Sequence, residues 1–150
     1  MTKMNPYIYF NGNCEEAFKF YEGVFRKEIS YIGRYNEVPE KDRHIFQETD
    51  GHKIMHVTLD ISAETSLNGA DYAEGFEESQ GYSNFSLIIH ADDKDEADRL
   101  FNELSDGGQK TLPMHTTFWG SYYGNCIDQF GITWKVTCLL YTSPSPRDRG

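Results

Sequence analysis

Few residues in this chain of 150 have the type and spacing to do chemistry, and those few are scattered. His52 and His56 fall on one face of a strand because their spacing is even. At about 3.3 Å per residue they stand roughly 13 Å apart, too far to grip one metal ion. His44, His90 and His115 sit in separate segments with no ligand spacing between them. With His52 they are expected to be hydrogen-bonded structural or surface residues. Cys126 has the chemistry of a thiol nucleophile, but no base is evident for it in the sequence, which favours a small buried core residue. Adjacent acids such as Asp92-Asp93 and Glu77-Glu78 read as helix capping and solvation. There is no G-x-S-x-G nucleophile elbow and no G-x-x-x-x-G-K-[ST] phosphate loop.

One stretch concentrates what remains. Thr117–Lys135, TFWGSYYGNCIDQFGITWK, holds both tryptophans and three glycines. The run Phe118-Trp119-Gly120-x-x-Tyr123-Gly124 sets large rings beside residues without side chains. It has two readings: core filling around a hairpin, or an aromatic-walled pocket in which the glycines leave room for a ligand. Asp128-x-x-Gly131 carries the residues of a type I turn, joining a strand that ends near Ile127 to one running from Ile132.

Two helices must position these strands. Asn13, with Glu16 three residues on, predicts a capped start for a helix ending near Arg26, whose buried face is Ala17, Phe18, Tyr21, Val24 and Phe25. Asp93 with Glu96 predicts a second, with Ala97, Leu100, Phe101 and Leu104 as its stripe and Gly107-Gly108 at its end. The two match at an offset of 80 residues, Asn13 falling on Asp93 and Tyr21 on Phe101. Strands are expected over Tyr7–Asn11, Glu28–Asn36, Arg43–Thr49, His52–Ile61 and Glu64–Asp71 in the first half, with Tyr72–Gln80 as a loop. The second half has them over Tyr82–Ala91, Gln109–Phe118, Ser121–Asp128 and Ile132–Leu140. The pattern predicts an α+β protein of two βαβββ modules, over about residues 5–71 and 81–138, sharing one core.

Charge and composition narrow the function. A net charge of −10 argues against phosphate-backbone binding and against anionic membrane surfaces. No apolar run approaches the roughly 20 residues that span a bilayer, and the N-terminus lacks the apolar region of a signal peptide. Cys14, Cys126 and Cys138 have no C-x-x-C spacing and are odd in number, so a reduced, cytoplasmic protein is expected, without nucleic-acid or membrane partners.

PYIYFNGNCEEAFKFY near the start, KIMHVTLDI in the middle and FWGSYYGNCIDQFGITWKV near the end resemble the PhnB-like branch of the vicinal oxygen chelate superfamily. That superfamily includes glyoxalases, bleomycin-resistance proteins and dioxygenases. The resemblance covers about Asn5 to Val136, and the W-G…Y-G…D-x-F-G-x-x-W series is its most specific part. It implies curved mixed sheets around a cavity and a homodimer. The branch is sometimes labelled demethylubiquinone-methyltransferase-like, but no Gly-rich strand–loop–helix start for a nucleotide or adenosyl cofactor is present.

The superfamily's metalloenzymes place four ligands on cavity-facing strands. Carried over, these positions fall on Pro6, His56, Ser86 or Asn84, and Lys135. Only His56 is a good ligand, and an ammonium repels a divalent cation, so no metal or other cofactor is expected. The same geometry implies that His56 and Lys135 enter the cavity from corresponding strands of the two halves. There His56 would serve as a general base, and Lys135 would bind a carboxylate or enolate or act as a nucleophile of lowered pKa. Asn84, Ser86, Phe118, Trp119 and Tyr123 complete the expected ligand pocket.

Three functions follow from this reading. The first is binding of a small organic ligand with metal-independent acid/base catalysis. The second is a metal-dependent lyase or dioxygenase with a rearranged site, which requires two further ligands near His56, His44 and His90 being the first candidates. The third is ligand sequestration without turnover, as in resistance proteins. Residues 139–150, LLYTSPSPRDRG, break style with the domain at 1–138 and are expected to be disordered. They resemble translated adapter read-through, which would put the authentic end near Val136–Cys138.

Overall fold

The computed structural model describes residues 2–37, 51–72 and 85–140. The chain divides into two compact units, Met1–Gly81 and Tyr82–Gly150. Each contains one βαβββ module, as the repeat of helices predicts.

In the first module β1 (Tyr7–Phe10) leads into α1 (Cys14–Phe25), and β2 (Ile29–Arg34), β3 (Ile54–Asp60) and β4 (Ser66–Asp71) follow. The sheet order is β1-β4-β3-β2, with β1 parallel to β4 and the other pairs antiparallel. Cys14, Ala17, Phe18, Tyr21 and Val24 form the buried stripe of α1; Phe25 is only half-buried. They pack on Val57, Leu59 and Leu67, which alternation sends to one face of the sheet. Gly69 lets the helix approach closely, since a Cβ there would lie 2.6 Å from the Phe18 ring. Burying each of these large side chains contributes about 1.5–3 kcal/mol.

The start of α1 differs from the expected Asn13 capping box. Asn13 occupies the cap position but its side chain makes no capping bond. Instead Oδ1 of Asp71, at the end of β4, accepts from the backbone N–H groups of Gly12 and Cys14, both at 2.9 Å. Its Oδ2 accepts from Ile54 N at 2.9 Å. Parallel pairing sets Asp71 opposite Phe10, so the sheet delivers a full negative charge to the positive end of the helix, where a neutral amide competes poorly.

The second module repeats the plan with β5 (Leu87–His90), α2 (Lys94–Ser105), β6 (Gln109–Thr116), β7 (Ser121–Ile127) and β8 (Thr133–Leu139), in sheet order β5-β8-β7-β6. Here the expected cap forms. Asp93 Oδ1 accepts from Glu96 N at 2.8 Å, and Glu96 reaches back to accept from Asp92 N at 2.7 Å. Ala97, Leu100, Phe101 and Leu104 are buried, with Cys126, Trp134 and Val136 on the sheet.

The β7–β8 turn also follows its sequence signature. Gly131 N donates to Asp128 O at 2.9 Å, and Gly131 takes φ = 89°. The buried Asp128 carboxylate accepts from Phe130 N, Ile132 N and the Trp134 indole at 2.9, 3.0 and 2.9 Å.

The expected strand Arg43–Thr49 and nearly all of the loop Tyr72–Gln80 lie outside the described residues. Of the strand expected over Tyr82–Ala91, residues 82–84 lie outside the described range, and the described part forms a strand over Leu87–His90. β8 runs through Leu139, and residues 141–150 lie outside the described range. Among the described residues no helix is long and apolar enough to cross a membrane.

Candidate functional site

The helices begin 80 residues apart, at Cys14 and Lys94, but the last two strands repeat at an offset of 67, Ser121 against Ile54 and Thr133 against Ser66. The connection between β2 and β3 is longer than the four residues that join β6 to β7. Pair registers agree at the smaller offset: Thr58 opposes Asn68 in one module, and Asn125 opposes Lys135 in the other. His56 therefore corresponds to Tyr123, and Lys135 to Asn68. This corrects the expectation, implied by the resemblance, that His56 and Lys135 stand on corresponding strands: His56 is on β3, and Lys135 is on β8, the counterpart of β4.

In each module these equivalent positions form a bonded pair on the sheet face turned away from the helix. His56 Nε2 lies 3.3 Å from Asn68 Oδ1 and 3.0 Å from Thr58 Oγ1. Lys135 Nζ donates to the Tyr123 hydroxyl at 3.0 Å. The helix-side residues of the same strands are mostly apolar or glycine, Asp71 at the α1 cap and Tyr122 at Asp98 being exceptions, so alternation has sorted most polar groups onto the open face.

The neighbours of His56 dictate its tautomer. Asn68 Nδ2 donates to Pro6 O at 3.4 Å, which turns Asn68 Oδ1 towards the imidazole as an acceptor. Thr58 Oγ1 donates to that same oxygen at 2.8 Å, so its proton is committed and its lone pairs face His56. Nε2 must carry the ring proton. Nδ1 is left as the acceptor, 3.4 Å from the Tyr7 hydroxyl. The rings of Tyr7 and Tyr31 meet the imidazole edge-on at 5.3 and 5.8 Å. Burial, and then neighbouring Tyr9, raise the pKa of Tyr7 above that of an ordinary phenol, which keeps it a donor to Nδ1. Tyr9 stacks on Tyr72 at 5.0 Å, extending the aromatic face.

On the second module the adjacent tyrosines part company. Tyr122 turns to the helix and donates to Asp98 at 2.6 Å, a bond that with burial pushes its hydroxyl up to about 12. Tyr123 turns to the open face, with His115 edge-on at 6.1 Å. His115 Nδ1 donates to Pro113 O at 2.9 Å. Oδ1 of Asn125 is buried and has no hydrogen-bond partner among the described residues.

The other expected pocket residues are placed as follows. Ser86 is half-buried just before β5, on the face of Ile88, which pairs with Lys135. Phe118 and Trp119 pack edge-to-face at 4.9 Å on the β6–β7 turn, 96% and 62% exposed. Asn84 and His44 lie outside the described residues. His52 and His90 are exposed. Cys126 is buried, and burial followed by the Asp128 charge pushes its thiol up to about 11, so it is not a thiolate at neutral pH. Tyr7, Tyr31, Thr58, Asn68, His115 and Asn125 had not been singled out as site residues. Thr58 and Asn125 lie two residues beyond His56 and Tyr123 and were open to discovery by strand alternation. Asn68 needed the β3–β4 register.

The donors do not fit the divalent metal of the superfamily's metalloenzymes. The His56 imidazole has both nitrogens engaged in hydrogen bonds, and the ammonium of Lys135 beside Tyr123 repels a divalent cation. Among the described residues, no group of three or more His, Cys, Asp or Glu side chains could hold a metal ion.

The paired βαβββ modules define the class. A glyoxalase/bleomycin resistance protein/dioxygenase domain from Frankia sp. EAN1pec superposes with a TM-score of 0.64 at 10% identity, covering 98% of both chains. Closer in sequence, protein PA1353 from Pseudomonas aeruginosa is 31% identical with a TM-score of 0.82, over 94% of this chain and all of that one. A putative 3-demethylubiquinone-9 3-methyltransferase, PhnB protein, from Bacillus cereus gives 0.70 at 21% identity, over 91% of this chain and 99% of that one. Residues 2–137 match the family described as 3-demethylubiquinone-9 3-methyltransferase. The chain belongs to that PhnB-like family and has the fold of the glyoxalase/bleomycin resistance protein/dioxygenase neighbour.

Proposed function

We propose that this protein binds a small organic molecule on the sheet faces turned away from its helices, and that His56 moves a proton there without a metal. The observation that carries this reading is the His56 network. Thr58 and Asn68 hold the imidazole as the Nε2–H tautomer, which leaves Nδ1 as the basic atom beside the Tyr7 hydroxyl. A ligand O–H or acidic C–H that displaces Tyr7 meets that lone pair, and Thr58 and Asn68 then stabilise the imidazolium through Nε2. Lys135, Ser86 and Tyr123 are proposed to contact a ligand on the open face of the second module. A homodimeric, cytoplasmic protein belongs to this reading, and the mass in solution tests the first of those terms.

The test is a thermal-shift screen of small organic molecules in the presence of a chelator, with hits carried into His56→Ala. Saturable binding that weakens in the variant supports the proposal. Stoichiometric divalent metal in untagged protein, lost in His56→Ala, would overturn its metal-independent part.

A further inference from the structure

The two modules hold equivalent polar positions, yet among the described residues only those of the first are satisfied internally. Around His56, the Thr58 proton, the Asn68 amide and both ring nitrogens all have partners. Around Lys135 the account does not close. The ammonium has three N–H donors, and its hydrogen bond runs to the Tyr123 hydroxyl. No carboxylate pairs with it among the described residues. Because Tyr123 accepts from Lys135, its own proton remains free to donate. Directly opposite Lys135 in the β7–β8 register stands Asn125, whose buried Oδ1 also lacks a partner there. A buried polar atom left unpaired costs about 1–3 kcal/mol, and a half-buried cation without a counter-charge is likewise unfavourable.

We infer that the open face of β7 and β8 is a subsite for a small organic anion that carries a hydroxyl or N–H donor beside its carboxylate or enolate oxygen. This rests on the small-molecule reading above and narrows its ligand class. Lys135 and Tyr123 both donate to the anionic oxygen, forming a charge-assisted pair. The neighbouring donor meets Asn125 Oδ1. Asn125 is a binding residue on this account, and the overall acidity of the protein makes a local cation the means of drawing an anion in.

The test compares three probes on the unaltered protein by calorimetric titration at neutral pH. Mandelate has both features, phenylacetate lacks the hydroxyl, and methyl mandelate lacks the charge. Mandelate is expected to bind at least about tenfold more tightly than methyl mandelate and about threefold or more over phenylacetate. Lys135→Met should abolish the first preference and Lys135→Arg largely restore it. Asn125→Ala should abolish only the second. Equal affinity for mandelate and its neutral ester overturns the anion subsite while leaving small-molecule binding intact. Equal affinity for mandelate and phenylacetate overturns the role of Asn125. Failure of all three probes to bind overturns the inference, and only failure of the wider organic screen as well removes the reading beneath it.

Discussion

Asp128→Asn is the substitution that separates charge from shape at the turn joining β7 to β8. The Asp128 side chain is 2% exposed and accepts three hydrogen bonds. In the amide, one oxygen can still serve Phe130 N and Ile132 N. The other position becomes an NH2 facing the Trp134 indole N–H at the present 2.9 Å, so two donors oppose each other in the core. One charge-assisted bond is lost, worth about 1.5–3 kcal/mol, and a buried indole donor is left unsatisfied. The expected cost is about 2–4 kcal/mol. Urea unfolding, followed through Trp134 fluorescence in a Trp119→Phe background, reads this cleanly because Trp119 is 62% exposed and would report on solvent. With a slope of about 1–3 kcal/mol per molar urea, the midpoint should fall by about 1–2 M. A loss below about 0.5 kcal/mol at unchanged slope would refute the claim that the carboxylate, and not packing alone, fixes this turn.

Glycine substitutions divide by what a methyl group would meet. Gly69→Ala sets Cβ 2.6 Å from the buried Phe18 ring and should cost about 1–3 kcal/mol, whereas Gly23→Ala, with nothing within 4 Å in α1, should stabilise by about 0.5–1 kcal/mol; urea midpoints distinguish them. Reversal of the two signs would place α1 wrongly on its sheet. The raised thiol of Cys126 predicts an alkaline weakness. Unfolded cysteine ionises near pH 8.5–9 while the buried thiol stays neutral to about 11, so this contribution is full below about pH 9 and is lost as pH rises towards 11. Unfolding measured across that interval should show a shallower decline in Cys126→Ala, and parallel declines would assign the effect to other groups.

What the sequence disclosed here follows the range of each interaction. The Asp93–Glu96 cap and the Asp128–Gly131 turn close within a few residues, so composition at fixed spacing specifies them. The helix stripes are equally local. The α1 cap depends on Asp71, far along the chain, and becomes visible only when β1 pairs with β4. Likewise His56 was legible as a residue of interest, but Asn68 and Thr58, which set its tautomer, required the strand register. The aromatic run around Phe118 shows the limit from the other side. Its spacing fits a pocket wall, yet Phe118 and Trp119 occupy an exposed turn, and ring-and-glycine composition alone does not distinguish those positions.

Duplication explains why the two modules carry two chemistries. Two copies of a βαβββ module present the same pair of open-face positions, on β3 and β4 and again on β7 and β8. At those positions, side chains can change without disturbing the helix-side core, because alternation keeps the two faces separate. The first copy carries an imidazole with an oriented proton; the second carries an ammonium and a phenol. A base and a cation are the two groups that proton transfer next to a carbonyl or carboxylate requires, the one to accept the proton and the other to hold the developing negative oxygen. On the second module, Lys135→Met and Tyr123→Phe should each weaken anion binding, and the double variant should cost less than the two losses added, because both groups donate to one oxygen on the open face of β7 and β8. Strict additivity would mean that Lys135 and Tyr123 do not share a ligand atom.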